Sequence, residues 1–226
     1  MQVVTLRRIN AGDSLDELTA MLHRAFAPLG RMGLNCTCVD QSVEMTRQRI
    51  VRGECYVAVF AGHLVAMITL HAPDSGSESA WYHRHDVASI HQLGGDPEFQ
   101  GKGLGSGLLE FAEGWARMRG YTELALDTAQ PATHFLAFYM AHGYRIAETV
   151  RFQGKLYRSV VLSKSVSESH DFAAVTGSHR GAEAATGGNP ALPGLAAPAR
   201  QPDRPNLSAP LTQEGRFLTR SLRPRC

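Results

Sequence analysis

The chain has 226 residues, of which 43% are hydrophobic and 19% charged, and its net charge is +2. That length makes one ordinary domain, or one domain and a tail, with a core of its own. No apolar run approaches the ~20 residues that span a bilayer, and the opening MQVVTLRRIN lacks the apolar stretch of a secretory signal. A membrane-spanning protein is therefore excluded, a cytoplasmic one is expected, and so small a net charge is not that of a nucleic-acid binder.

In chain order, Val3, Val4 and Leu6 predict a first strand ending near Arg8. Asp13 or Ser14 can cap a helix in which Leu15, Leu18, Leu22, Ala25 and Phe26 recur at helical spacing. Ser42 opens a second helical pattern reaching about Arg52. Cys55–Phe60 and Leu64–Leu70 read as two strands of a hairpin joined through Ala61, Gly62 and His63. Residues 72–84 read as a loop, and Val87–Leu93 as a strand. A Gly-rich stretch follows, then a helix with Leu104, Leu108, Ala112 and Trp115 on one face. Leu124 and Leu126 mark a short strand, Pro131–His142 a helix stopped by Gly143, and Tyr144–Glu148 and Tyr157–Leu162 the last two strands. The class is mixed α/β, one central sheet covered by helices.

Composition changes near residue 165. The last 62 residues hold seven of the eleven prolines and only two aromatics, Phe172 and Phe217. Their Ala, Gly and Pro cannot bury enough surface to offset chain entropy, so 165–226 is expected to be a disordered tail and 1–164 the folded domain. The domain carries sixteen bases and sixteen acids. The segment Arg216–Arg225 is weakly basic and reads as solvated tail.

Four cysteines, Cys36, Cys38, Cys55 and Cys226, are too few for a disulfide framework. Cys36 and Cys38 form a C-x-C pair that could bind metal with His83 and His85 only at unusual spacing. Reduced thiols and no metal are the expectation.

The informative segment is Gln100-Gly101-Lys102-Gly103-Leu104-Gly105-Ser106-Gly107, between a strand and an amphipathic helix. Glycines let backbone approach an anion closely, and N–H groups at a helix start point at it. This is the chemistry of a phosphate or pyrophosphate cradle. The pattern is not G-x-x-x-x-G-K-[ST], because Lys102 precedes most of the glycines. It is not G-x-G-x-x-G either, because that spacing meets Ser106 or Leu108. What fits is Q-x-x-G-x-G, at Gln100, Gly103 and Gly105.

Two stretches together carry a family resemblance. Ile90 to Gly105, with its Pro97-Glu98-Phe99-Gln100-Gly101-Lys102-Gly103 run, resembles the fourth strand and acetyl-CoA pyrophosphate loop of the GNAT-type N-acetyltransferase superfamily. Some thirty residues on, Phe138-Tyr139-Met140-Ala141-His142-Gly143-Tyr144 resembles that family's F-Y-x-x-x-G-F, with Tyr in the last place. The resemblance covers about residues 2–163. It implies a mixed, mostly antiparallel sheet flanked by helices, with acetyl-CoA as co-substrate.

The resemblance also implies roles. Backbone groups at Leu93 and Gly95 would pair with the pantetheine arm. Backbone N–H groups from Gln100 through Gly101, Lys102, Gly103, Leu104 and Gly105, with Ser106, would hold the pyrophosphate. Gly95 stands where the family usually has Val, and the Gly94-Gly95 pair either loosens the strand end or permits a bulge that splays strands apart. Tyr139 matches the tyrosine that protonates the leaving thiolate, its bland alternative being an aromatic packed beside Phe135 and Phe138. The usual base, a Glu eleven residues before the glutamine, is replaced by Ser89. His91, two residues on and on the same strand face, is the candidate in its stead, either as base or as an orienting or packed residue. His85, Asp86 and His71 are weaker candidates. Where the family often has Asn, seven residues before Tyr139, this chain has Ala132, and Thr133 or Thr128 could fill that contact. Cys55, with no His motif beside it, is not expected to carry an acyl group.

The expected activity is direct acetyl transfer from acetyl-CoA to a primary amine of a small molecule or peptide, with no nucleic-acid or membrane partner and with room for a homodimer. The alternatives are a non-catalytic CoA-binding sensor, favoured by Ser89, and an unrelated phosphate-binding scaffold.

Overall fold

A computed structural model of the protein describes residues 3–167 and, as backbone, residues 215–217. The tail expected over 165–226 lies outside the described residues, apart from its first three positions and a short strand. The elements are β1 (Val4–Arg8), α1 (Leu15–Arg31), α2 (Thr37–Asp40), α3 (Val43–Ile50), β2 (Glu54–Phe60), β3 (His63–His71), β4 (Val87–Gly95), α4 (Leu104–Met118), β5 (Glu123–Ala129), α5 (Thr133–Ala141), β6 (Arg145–Val150), β7 (Ser159–Ser165) and β8 (Gly215–Phe217). The strands form one sheet in the order β6-β7-β5-β4-β3-β2-β1-β8. Every neighbouring pair is antiparallel except β4 and β5, which run parallel. The mixed, mostly antiparallel sheet flanked by helices is thus the one the sequence implied.

Helices cover both faces because their apolar stripes demand it. α1 begins at Ser14, whose Oγ accepts the Glu17 N–H at 3.2 Å, the capping chemistry expected of that residue type. Leu18, Met21, Leu22 and Ala25 then pack on Cys55, Val57, Leu64 and Met67. On the other face Leu108, Leu109, Ala112 and Trp115 of α4 pack with Ile68, Leu70, Ile90, Leu124 and Leu126. Each fully buried side chain of this size contributes about 1.5–3 kcal/mol. The helix α1 runs past Pro28 to Arg31, further than its apolar spacing indicated.

The predicted loop 72–84 contains a 3-10 turn, Ala80–His83, pinned to β6 where Ser79 Oγ donates to Glu148 at 2.6 Å. The last strands start later than predicted. Tyr157 precedes its ladder because its hydroxyl turns to Cys36 Sγ at 3.1 Å.

The decisive irregularity is in β4. Its register against β3 runs Met67↔Gly94 and then Thr69↔His91, so β4 carries one extra residue. Gln92 absorbs it with φ +51°, a left-handed conformation that costs a side-chain-bearing residue roughly 1–2 kcal/mol. The bulge falls at Gln92, not at the Gly94-Gly95 pair to which the sequence pointed. Gly94 serves instead to let α1 approach, since a Cβ there would lie 3.0 Å from Leu22 and Phe26. Parallel pairing of β4 with β5 stops at Ile90↔Leu126. Beyond that point the two strands part, and the gap is where the site lies.

Candidate active site

Two cavities open on the gap and share Leu93, Phe135 and Tyr139 in their walls. The outer one is a groove of about 710 Å³ between the start of α4 and α5. Leu93, Gly95, Gln100, Gly101, Gly103, Leu104, Gly105 and Ser106 all line it. Lys102 alone of the expected cofactor residues does not, and its Nζ sits 5.1 Å over the Phe99 ring.

The loop is built around two left-handed glycines. Gly101 and Gly103 have φ +71° and +83°, values that a residue with an ordinary side chain rarely adopts. Among the described residues no backbone or side-chain acceptor takes the N–H groups of Gly101 through Ser106. The helix α4 therefore begins without a cap, with bare amides and the positive end of its dipole on the groove. The Ser106 hydroxyl lies 2.8 Å from His142 Nε2. His142 Nδ1 is 2.8 Å from the Phe138 carbonyl and donates to it, and the backbone N–H of Ser106 has no acceptor among the described residues. Leu93 has no ladder partner on β3 or β5, so its backbone is free to meet an extended ligand arm.

The inner cavity, about 150 Å³, lies through the gap. Tyr139 packs edge-on to Phe138 at 5.3 Å between ring centroids. Burial and then the Asp127 charge push its phenol above the usual range, so it keeps its proton at any working pH. His91 also lines this cavity. Its Nε2 is 3.0 Å from Ser89 Oγ, as their shared strand face led one to expect, and its ring lies 4.2 Å from that of His71, tilted by 41°. Burial pushes the His91 imidazole down to about 3 and that of His71 down to about 4. Both are neutral and weakly basic.

Other candidates lie elsewhere. His85 is exposed, and Asp86 is engaged by Arg84 and Thr122. Thr128 lines the inner cavity but Thr133 lines neither. Cys55 is buried beneath α1, its thiol pushed up to about 12 by burial. Cys36 and Cys38 line the inner cavity with raised thiol values, again from burial, whereas His83 and His85 do not reach it.

Three side chains lining the inner cavity escaped the sequence reading, Asp127, Arg49 and Lys155, and so did Tyr82, which stands behind Asp127. The first carried a signal, a carboxylate inside the apolar run of β5. Tyr82 Oη–H donates to Asp127 Oδ1 at 3.2 Å. Burial pushes the Asp127 carboxyl up, against the opposing pull of Tyr82 and of the Arg49 and Lys155 charges. The cations stand in α3 and in the loop before β7, where nothing in the sequence distinguishes them from surface residues.

The fold and the site define an α/β protein with an open, bulged sheet and an anion cradle at a helix start beside the splayed strands. The chain belongs to the acetyltransferase (GNAT) family, whose model matches residues 27–144. It is 28% identical over 98 residues to the S-(2-succino)cysteine N-acetyltransferase of Bacillus subtilis (strain 168), a match spanning 43% of this chain and 57% of that relative. Its fold is similar to that of a GNAT family acetyltransferase from Elizabethkingia anophelis with acetyl-CoA bound (TM-score 0.51, 19% identity, covering 72% of this chain and 97% of the other). It is also similar to that of the ribosomal-protein-S18-alanine N-acetyltransferase from Escherichia coli (TM-score 0.55, 17% identity, 75% and 97%).

Proposed function

We propose that the protein is an acetyl-CoA-dependent N-acetyltransferase that binds its two substrates together, the acyl donor in the outer groove and an amine in the inner cavity. The observation carrying this reading is the run of unbonded amides from Gly101 to Ser106 at the start of α4, opening on a groove that meets a second cavity at Tyr139. Acetyl-CoA supplies an acyl group on a thioester, which the amine takes as the N–C bond forms, the C–S bond breaks and one proton passes from nitrogen to sulfur.

The residues of this chain do the rest. The amides of 101–106 hold the pyrophosphate, and the unpaired backbone at Leu93, with Gly95, receives the extended arm. Tyr139 offers its proton where the sulfur departs. A phenol above its ordinary pKa of ~10 stabilises a thiolate, whose thiol has a pKa of ~8.5, by donating a hydrogen bond, with the final protonation completed by solvent. His91, neutral and weakly basic, orients the amine in this reading. The sensor alternative drew on Ser89 standing in place of a carboxylate, and Asp127 offers a carboxylate in the inner cavity. The test is release of free thiol from acetyl-CoA with a panel of amines. Tight CoA binding with no release from any amine would replace the enzyme by the sensor.

A further inference from the structure

We propose that the acceptor carries a carboxylate as well as its amine, a small amino acid in the broad sense, with Asp127 holding the amine and Arg49 and Lys155 holding the carboxylate. The inference rests on the reading of the inner cavity as the acceptor site.

Three observations carry it. First, the cavity wall contains charges of both signs on separate elements: Asp127 on β5, Arg49 on α3 and Lys155 in the loop between β6 and β7. Second, the cations are fixed but not neutralised. Arg49 Nη1 donates to Cys38 Sγ at 3.1 Å and to Gln41 Oε1 at 2.7 Å. Lys155 Nζ donates to the Asn35 carbonyl at 2.9 Å and to Thr37 Oγ1 at 2.8 Å. Among the described residues no carboxylate forms a salt bridge with either. Neutral partners hold both groups in place and leave their positive charge for a ligand. Third, among the described residues Asp127 is met by hydroxyls, Tyr82 at 3.2 Å and Ser159 beside it, and forms no salt bridge, so a carboxylate in a partly buried wall stands ready for an ammonium.

The volume sets the scale. A cavity of about 150 Å³ takes a ligand of roughly benzene's size. An amine and a carboxylate on one or two linking carbons fit, whereas a lysine side chain carried by a polypeptide offers no anion at that depth. The same carboxylate that orients the ammonium is placed to receive its proton. Asp127 passes that proton to solvent and the bare amine attacks; as the C–S bond breaks, the second proton leaves nitrogen by the same carboxylate while solvent protonates the departing thiolate.

The experiment uses the full chain and matched probes: glycine, L-alanine, L-serine and β-alanine, each beside its carboxamide and its decarboxylated amine. Thiol release is read with acetyl-CoA. Binding of the same probes is read by calorimetry with CoA present and no acetyl group, so that the pocket is tested apart from the chemistry. The expected result is a 10- to 100-fold preference for the free acid over its carboxamide, about what one charge-assisted hydrogen bond gives. Arg49→Met and Lys155→Met, which keep the aliphatic stems and lie on different elements, should each collapse that ratio at unchanged melting temperature. Asp127→Asn should weaken acid and carboxamide alike. Acid, carboxamide and amine within two-fold of one another, or a preference that survives both Met variants, would overturn the inference while leaving acetyl transfer standing. Acid-selective binding without turnover would support the inference and remove the acetyltransferase reading instead. Failure of every free acid both to bind and to react overturns the inference outright.

Discussion

The two cavities that meet at Tyr139 are built from different material. The outer groove is made of backbone: N–H groups from 101 to 106, two glycines in left-handed conformation, and a strand segment at Leu93 with no ladder partner. The inner cavity is made of side chains brought from several elements and loops, Asp127, His91, Arg49 and Lys155 among them. Backbone recognition suits a ligand that is the same in every relative, since it tolerates almost any side chain outside the glycines. Side-chain recognition suits a ligand that differs, since each contact can be replaced singly. The division teaches where change is cheap in this molecule. The groove is fixed by conformation and the pocket by composition.

The largest expected effect comes from breaking the groove. Gly103→Asp sets a carboxylate at φ +83° on the anion site, and Gly105→Asp adds to that a Cβ 3.3 Å from Phe138. CoA affinity measured by calorimetry should fall about 100-fold or more, the equivalent of two charge-assisted hydrogen bonds. Asp127→Asn should leave the same measurement within two-fold. Equal losses in the two sets would dissolve the distinction between the cavities.

Tyr139→Phe tests the wall they share. Ring and packing are kept and only the hydroxyl goes. Turnover should drop by about 10²–10³-fold, the usual loss when one such hydrogen-bond donor is removed, while CoA still binds. A variant as active as the parent would leave Tyr139 as packing.

The histidine pair sharpens the comparison through pH. His91 and His71 hold their protons more weakly in the folded chain than unfolded, at about 3 and about 4. Their contribution is therefore complete above the unfolded value of ~6.5 and is lost as pH falls below it. At pH 5 each costs roughly 2 kcal/mol of stability relative to pH 7. Denaturant melts from pH 7 to pH 4.5 should show this decline, and His91→Gln should flatten it. A His91→Gln variant as acid-sensitive as the parent would place the effect elsewhere.

The smallest effect is a control remote from both cavities. Ala61 holds φ +51° in the two-residue turn between β2 and β3, beside Gly62 at +84°. Ala61→Asn supplies the residue such a turn prefers and should add about 0.5–1 kcal/mol, visible as a higher Tm. CoA affinity should not move. A shift in CoA affinity would show that the sheet transmits strain from its far hairpin to the groove.

The difference between the cavities also explains what the sequence disclosed. A glycine loop between a strand and an amphipathic helix is legible because backbone conformation demands glycine locally, at Gly101 and Gly103. The hairpin, the helix faces and the strand around Leu124 and Leu126 were legible through periodicity. The bulge was not, since Gln92 is an ordinary residue forced into a glycine conformation by the packing around it. Nor was the pocket. Asp127, Arg49 and Lys155 are far apart in the chain, and nothing local marks a cation whose neighbours will be a thiol, an amide and a carbonyl. Tyr82 sat in a stretch read as loop, and only the 3-10 turn pinned by Glu148 carries it under the sheet.

The uncapped start of α4 couples folding to metabolism. Whatever anion satisfies those amides binds the folded chain and not the unfolded one, so it raises stability by mass action: about 2.7 kcal/mol when present at a hundred times its dissociation constant. With the pyrophosphate of acetyl-CoA as that anion, as proposed, the melting temperature of this domain would follow the supply of its acyl donor. A cell depleted of CoA would hold the same chain nearer its unfolding threshold, more open to proteolysis, so that abundance as well as activity would track the donor pool.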